Sequence, residues 1–245
     1  MTSRRPSPLA HRLTPAAAVL IGTALAAAAS PAVADWTGGI EGGTVVRDGG
    51  NAVRLRLGLV NDDRPLSHNL YAEWLRYDDD NGYRVGYLPR FWVDERLYVF
   101  GELEGRVDRP LRIERQLLGV GGVGYSLYDS AERGLGAEVG AGVRSTRLED
   151  ESDTAAAAEE EDEESEGVVV LRAAAFQKIA DLLRLELEGD AVQGERYGEL
   201  HAEAALAYRV PGGAIKLGYR IRRLSFEDGP TLDDDDVSLA FTYGF

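Results

Sequence analysis

The sequence contains no cysteine, so no disulfide can stabilise the fold. Basic residues are outnumbered: 27 Lys and Arg stand against 42 Asp and Glu, and the formal net charge is −15. Because a nucleic-acid backbone is bound by a basic face, this balance argues against nucleic acid as a partner. With no cysteine and 3 histidines, the chain also lacks the ligands of a typical zinc site, and we expect no cofactor.

Apolar runs long enough for a membrane-spanning helix are missing after the N-terminal segment. That segment has three arginines, then an uncharged run from Pro15 to Ala29, and then the small residues AVA at 32–34. We therefore predict a secretory signal peptide over 1–34 and a mature chain over 35–245. The missing runs do not exclude membrane strands, which need about 9–11 residues with every second one apolar.

What the chain has instead is alternation with a period of two. In NAVRLRLGLV, at 51–60, Val53, Leu55 and Leu57 share one face of an extended strand. Arg54 and Arg56 take the other face. The same pattern recurs along the chain and predicts twelve strands, at 36–46, 52–60, 67–77, 82–93, 96–107, 112–127, 133–148, 168–177, 183–192, 197–209, 214–225 and 236–245.

The connections between these strands predict an up-and-down barrel. Every second connection is longer or more acidic, and the segment 149–167 is a long acidic loop that we expect to be disordered. Long loops at one end and short turns at the other are typical of outer-membrane barrels, whose long loops face the exterior. We therefore predict an all-β transmembrane antiparallel barrel of about twelve strands. It would lie in the outer membrane of a Gram-negative bacterium, with both chain ends in the periplasm.

A soluble β-sandwich or a lipocalin-like barrel is the alternative, because soluble antiparallel sheets alternate too. Three features favour the membrane barrel. The predicted strands have about ten residues, which is longer than globular strands. The inner face is charged along its whole length, and the last strand, DVSLAFTYGF at 236–245, is aromatic. Its end, with Tyr243 and Phe245, resembles the signal that outer-membrane barrels present to their insertion machinery.

Four segments carry a resemblance to a known family. They are DWTGGIEGG with DGGN at the mature start, DERLYVFGELEGRVDR at 94–109, QLLGVGGVGYSLYDSAERGLGAEVGAGVR at 116–144, and the final DDVSLAFTYGF. The chain resembles the salt-induced outer-membrane proteins, a family labelled as domain of unknown function 481. The first strand departs from that family's serine-glycine-asparagine turn, and the acidic insert is longer. The resemblance implies an integral outer-membrane barrel and no catalytic residues.

In such a barrel the charged residues of both signs would line the lumen. They could form ion pairs that cross the barrel and close it, or they could line a narrow selective channel. The density of long charged side chains favours a narrow or closed lumen. The lumen-lining candidates are Arg54, Arg56, Glu102, Glu104, Arg106, Arg184, Glu186, Glu188, Lys216, Arg220 and Arg222.

Catalysis is a weaker interpretation of the same residues. After the signal peptide, His68 and His201 are the remaining histidines. A hydrolase would need Ser67, Ser126 or Ser238 beside one of them, and the spacing gives no support for that. We therefore predict no catalytic site.

Two acidic runs, at 78–82 and 233–236, are rich in the oxygen ligands that calcium prefers. Neither has the spacing of an EF-hand loop, so we predict a solvated acidic rim and no metal site. Divalent counterions at these loops would bridge them to lipopolysaccharide phosphates.

The sequence thus predicts an outer-membrane barrel with a structural role, or a role in adapting the envelope to salt stress. A small-solute or ion channel is the alternative, and an outer-membrane enzyme comes third. The expected partners are outer-membrane lipid, lipopolysaccharide and the barrel-insertion machinery. Because salt screens the repulsion between acidic loops, we also predict that deleting Glu149 to Glu166 flattens the salt dependence of unfolding.

Overall fold

Twelve antiparallel strands form a closed barrel, in which each strand pairs with its neighbours in sequence and the last pairs with the first. The computed structural model describes residues 36–47, 50–77, 81–148, 164–227, 229 and 231–244. The strands are β1 (Thr37–Arg47), β2 (Gly50–Asn61), β3 (Leu66–Arg76), β4 (Asn81–Trp92), β5 (Leu97–Asp108), β6 (Ile113–Asp129), β7 (Arg133–Leu148), β8 (Glu164–Ala180), β9 (Leu183–Gln193), β10 (Tyr197–Val210), β11 (Gly213–Phe226) and β12 (Thr231–Gly244).

The predicted fold class and number of strands are confirmed, and most strand bounds agree within one to three residues. The largest differences are at β12, which begins at Thr231 instead of 236, and at β8, which begins at Glu164 instead of 168. Apart from Leu232, the extra residues are acidic or small on both faces, so no apolar alternation marks them. The predicted signal peptide and residues 149–163 of the predicted loop lie outside the described residues, whereas 164–167 belong to β8.

The two ends of the barrel differ in one connection. We call the end that carries the connection 149–163 the loop end. The opposite end, where β1 begins and β12 ends, is the terminal end. Every other connection spans two to four residues at either end. The predicted contrast in loop length therefore depends on the segment 149–163.

Alternation places an apolar belt on the outside of the barrel. On β5, Leu103 is 65% exposed while its neighbour Glu102 is 4% exposed, and on β12 Leu239 is 55% exposed while Ser238 is 3% exposed. A continuous belt of exposed apolar side chains around the barrel would be very unfavourable in water, and contact with lipid requires such a belt. A soluble sandwich would bury that face in a core, so this alternative is wrong.

None of the described residues forms a helix that is long and apolar enough to cross a membrane. The strands form one compact unit, Thr37–Phe245, and in the other unit, Met1–Trp36, the structure describes Trp36 alone.

Aromatic side chains fill part of the lumen because glycines leave room for them. A Cβ atom on Gly124 would lie 2.3 Å from Cε2 of Tyr98, and one on Gly122 would lie 2.7 Å from Cε1 of Phe100. Each ring therefore covers a glycine on β6, and one wall of the lumen is apolar. The buried residues of this wall are Tyr98, Phe100, Leu118, Val120, Val168, Val170 and Val192.

Candidate functional site in the lumen

The predicted lumen residues lie on the inner face of their strands, because they alternate with the residues of the apolar outer face, such as Leu103, Leu187 and Leu217. Their exposure differs. The buried ones are Arg54, Glu102, Glu104, Lys216 and Arg220. Arg184 and Glu188 are exposed, and Arg56, Arg106, Glu186 and Arg222 are intermediate. The candidates therefore separate into a packed set and an accessible set.

At the loop end an ion pair crosses the full width of the barrel. Nη1 of Arg222, on β11, lies 2.8 Å from Oδ2 of Asp108, on β5. These strands are six positions apart in a ring of twelve, so they are diametrically opposite. Arg222 also pairs with Asp234 and donates to the hydroxyl of Tyr77 at 2.9 Å. We call the Arg222–Asp108 pair the lumen bridge.

Buried apolar side chains surround the lumen bridge. Leu111 is the last residue of a short 3₁₀ turn, Arg109–Leu111, that connects β5 to β6. Its side chain is buried and lines the same cavity as both bridge residues. Ile113 pairs in register with Asp108, and Leu224 lies two residues beyond Arg222 on the same inner face. Both are 0% exposed. Apolar side chains therefore flank this ion pair on the side of the loop end, while both of its residues line the cavity on the other side.

A second set of polar side chains converges on Glu199 of β10. Arg106 of β5 places Nη1 2.6 Å from Oε2 of Glu199, and Arg144 of β7 places Nη1 3.1 Å from Oε1. Gln116 of β6 donates to Oε1 of the same carboxylate at 2.8 Å. These contacts again join opposite walls of the barrel, since β5 and β10 are five positions apart. We call Arg106, Gln116, Arg144 and Glu199 the Glu199 cluster.

A third network joins residues of β9, β10, β11, β1 and β2. Lys216 has its Nζ atom 3.3 Å from Glu203 and 3.2 Å from Glu186. Arg54 lies 3.1 Å from Glu41 and 3.7 Å from Glu203. Each base therefore shares its acids with another base, as expected for charges that are held away from bulk water.

Several other arginines pair with acids on adjacent or nearby strands of the lumen wall. Arg220 binds Asp236 at 2.8 Å and reaches Glu73 of β3 at 3.5 Å. The others are the Arg84–Glu104 pair at 2.6 Å, the Arg90–Glu138 pair at 2.9 Å, and Arg172 with Glu102.

The acidic run 233–236 is a correction to the sequence analysis, which predicted a solvated rim. It forms part of β12, and Asp234 and Asp236 point inward, where they pair with Arg222 and Arg220. Asp233 pairs with Arg223 outside. The sequence contained a signal for this, because each aspartate pairs in register with its arginine when β11 and β12 form an antiparallel hairpin. The run 78–80 lies outside the described residues, and within the described ones no acidic or histidine cluster could hold a metal.

The histidines and serines that a hydrolase would need have other contacts. Nδ1 of His68 lies 2.8 Å from the Tyr87 hydroxyl, on the outer face. Ser67, next to His68, faces the lumen and accepts a hydrogen bond from Trp92. Nδ1 of His201 lies 2.9 Å from Asp190. Ser126 donates to a backbone carbonyl, and Ser238 accepts from Arg54.

Between these networks lies a cavity of about 320 Å³. It extends from the lumen bridge to residues such as Arg90 and Glu138 in the half toward the terminal end. Its wall includes exposed residues such as Ala174 and Glu188. At the loop end, by contrast, the inward residues Arg144, Ile113 and Leu224 are fully buried. The lumen is therefore packed at the loop end and more accessible toward the terminal end.

A closed antiparallel barrel with an apolar outer belt and a charged interior defines the class of outer-membrane β-barrel proteins. The chain belongs to the family described as "Protein of unknown function, DUF481", whose model matches residues 60–245. The resemblance noted in the sequence is thus confirmed. No curated protein matches the chain.

Two solved structures share the barrel architecture. The NanC porin has a TM-score of 0.54 and 10% identity, and the match covers 83% of this chain and 98% of the porin. The KdgM porin has a TM-score of 0.54 and 10% identity, with 84% and 99% of the two chains covered. At this identity the likeness shows the fold alone.

Of the two residues predicted to form the insertion signal, Tyr243 lies on the outer face and is 51% exposed, while Phe245 lies outside the described residues. Their part in insertion stays a prediction. An interfacial aromatic in this place fits the belt that anchors a barrel in lipid.

Proposed function

We propose that this protein is an integral outer-membrane barrel whose lumen is closed at the end facing the cell exterior. Its role is then structural, in adapting the envelope to salt stress, and it is not a permanently open pore or an enzyme. The observation that carries this proposal is the lumen bridge, the 2.8 Å contact between Arg222 and Asp108 on opposite walls.

The energetics of the lumen bridge support closure. A solute that passed the loop end would have to separate two charges that are surrounded by buried apolar side chains. Removing one partner of a buried ion pair costs about 3–5 kcal/mol, because the other charge is left without compensation. The Glu199 cluster adds a second set of contacts across the same half of the lumen. We therefore expect the lumen bridge to separate only rarely by thermal motion.

The salt-related role is supported by the resemblance to salt-induced outer-membrane proteins and by the net charge of −15. Acidic groups near the membrane surface repel one another less as salt rises. A strain that lacks the gene should grow more slowly than its parent at high salt and normally at low salt. Equal growth of the two strains in both media would contradict the role.

The experiment for closure is conductance of the refolded protein in a planar bilayer. The natural protein should show rare or no openings, and the double variant Asp108→Asn with Arg222→Gln should conduct. The matched control is Arg223→Gln with Asp233→Asn, because Arg223 is the neighbour of Arg222 on β11 and its ion pair with Asp233 of β12 is exposed and does not cross the lumen. Frequent discrete openings of the natural protein would overturn the proposal of a closed lumen.

A small-solute channel is the second candidate, and the cavity of about 320 Å³ favours it. Its exposed lining toward the terminal end already leaves room for solutes. In this case the natural protein itself conducts, with an ion preference that changes when a charge of the cavity is neutralised. The same bilayer measurement therefore decides between the two candidates.

A further inference from the structure

Two opposite charges in the cavity have no partner. Arg56 and Glu188 both line it, and neither makes a hydrogen bond or an ion pair with any residue that the structure describes. Each of the other acidic and basic residues that line the cavity is paired. Ion pairs neutralise Arg84, Arg90, Arg172 and Arg220, for example. Arg56 and Glu188 are therefore the two charged residues of the cavity wall that have no ion-pair partner among the described residues.

These two charges face each other. Arg56 lies on β2 and Glu188 on β9, which are five positions apart in the ring of twelve strands. Both side chains line the same cavity, and they form no ion pair with each other in the structure. The space between them is therefore part of the cavity.

The acids next to Arg56 are already engaged with other bases. Its register partners are Glu41 on β1 and Glu73 on β3. Glu41 pairs with Arg54, and Glu73 pairs with Arg220. The Arg56 guanidinium therefore keeps its donors for a ligand, and the same side chain is only partly buried.

Glu188 is accessible because its neighbours do not compete for it. Its register partner on β8 is Ala174, which is small and exposed. Its partner on β10 is Glu203, whose carboxylate lies 3.3 Å from Nζ of Lys216. A second carboxylate cannot neutralise Glu188, so its charge remains available to a cation.

We propose that the lumen binds a small zwitterion, a molecule with one carboxylate and one ammonium group. Its carboxylate would accept hydrogen bonds from Arg56, since a guanidinium holds a carboxylate with two parallel donors. Its ammonium group would donate to Glu188. A ligand that entered from the more accessible terminal end would not need to open the lumen bridge, so this proposal does not depend on the proposed closure.

The pairing of charges selects this class of ligand. An anion on Arg56 would face the carboxylate of Glu188, and a cation on Glu188 would face Arg56. A zwitterion satisfies both groups and leaves the net charge of the cavity unchanged. A cavity of about 320 Å³ is large enough for a molecule of this size.

The test is calorimetric titration of the refolded full chain in detergent. The probes are glycine, β-alanine and γ-aminobutyrate, which are zwitterions with increasing charge separation. Acetate and methylammonium each carry one of the two charges. At least one zwitterion should bind saturably and about tenfold more tightly than both single-charge probes. Equal binding of acetate, or no saturable binding by any zwitterion, would overturn the proposal.

Variants keep the test specific. Arg56→Gln and Glu188→Gln should each weaken zwitterion binding about tenfold or more. The exchange Arg56→Glu with Glu188→Arg should restore it, because a zwitterion can bind in the reversed orientation. Arg184→Gln is the matched control, since Arg184 is an exposed lumen arginine already paired with Glu186 at 3.2 Å. Far-UV circular dichroism and heat-modified gel mobility establish that each variant is folded, and an exchange variant that folds and does not bind would contradict the site.

Discussion

The guanidinium carbon of Arg144 lies 3.5 Å from the ring centre of Tyr197, and the side chain of Arg144 is 0% exposed. The same guanidinium pairs with Glu166 at 2.5 Å and with Glu199 at 3.1 Å. One arginine therefore joins β7, β8 and β10 inside the lumen. Stacking on an aromatic ring and pairing with two acids together compensate the cost of burying its charge.

We predict that Arg144→Ala destabilises the barrel strongly. It leaves Glu166 and Glu199 with fewer partners in a buried setting, and the expected loss is about 3–5 kcal/mol of unfolding free energy. Urea denaturation of the refolded protein in detergent micelles, followed by tryptophan fluorescence, measures it. Arg147→Ala is the control on the same strand. Its ion pair with Glu114 is exposed, so losing it should lower the free energy of unfolding by less than about 1 kcal/mol. Equal losses would mean that the buried contacts add nothing.

Gly122 should not tolerate a side chain. A Cβ atom there would lie 2.3 Å from the Val139 carbonyl oxygen and 2.7 Å from Cα of Gly140, so backbone atoms would have to move. It would also displace the Phe100 ring. We expect Gly122→Ala to cost about 1–3 kcal/mol, measured by the same denaturation.

The control for Gly122→Ala is Gly105→Ala, in the neighbouring strand β5. The closest atom to a Cβ there is Cδ2 of Leu117 at 3.6 Å, which is an ordinary contact. This variant should keep the stability of the natural protein. A similar loss in both would point to a general effect of replacing glycine in strands, and not to the close approach at Gly122.

The turn between β4 and β5 should respond to pH through Asp94. Its Oδ1 atom accepts hydrogen bonds from the backbone N–H groups of Leu97 and Arg96, both at 2.7 Å. These bonds hold the pKa of Asp94 below its ordinary value of 3.8. Because the folded-state pKa is the lower one, the stabilisation is present above about pH 4 and is lost as pH falls through the folded-state pKa.

We therefore expect the stability difference between the natural protein and Asp94→Asn to shrink as pH falls from about 6 to about 2. Denaturation midpoints at a series of pH values measure this difference. Asp62→Asn is the control, because Asp62 is an exposed carboxylate of the β2–β3 turn with no hydrogen bond to any described residue. A difference for Asp94→Asn that stays constant with pH would show that the turn does not depend on the ionised carboxylate.

Much of the fold could be predicted from alternation alone, because a strand that separates lipid from a polar lumen must alternate. That rule placed Leu103 outside and Glu102 inside, and it fails where both faces are polar, as at the start of β12. Within a hairpin, pairs such as Arg220 and Asp236 follow from the register of the turn.

The pairs that cross the lumen could not be predicted in this way. Arg222 and Asp108 are 114 residues apart in sequence, and their contact depends on how the whole sheet closes and tilts. For the same reason the sequence gives no sign that Arg56 and Glu188 are the lumen charges left without partners. Both were among the lumen candidates, and their distinct role became visible once the partners of all their neighbours were known.

The structure also changes the design of the salt experiment. A deletion from Glu149 to Glu166 would remove the first residues of β8, including Glu166, which pairs with Arg144 inside the lumen. Such a variant would lose stability for a reason unrelated to the loop. The deletion should therefore cover 149–163, which still removes nine carboxylates and no basic residue.

We predict that this shorter deletion flattens the salt dependence of unfolding. The carboxylates of 149–163 repel one another and the rest of an acidic protein, and salt screens this repulsion over about 10 Å at 0.1 M. Urea denaturation at low and high sodium chloride should then give nearly equal midpoints, whereas the natural protein should be more stable at high salt. A variant of full length with every carboxylate of 149–163 replaced by its amide separates charge from loop length. If that variant keeps the salt dependence of the natural protein, the repulsion arises elsewhere on the barrel.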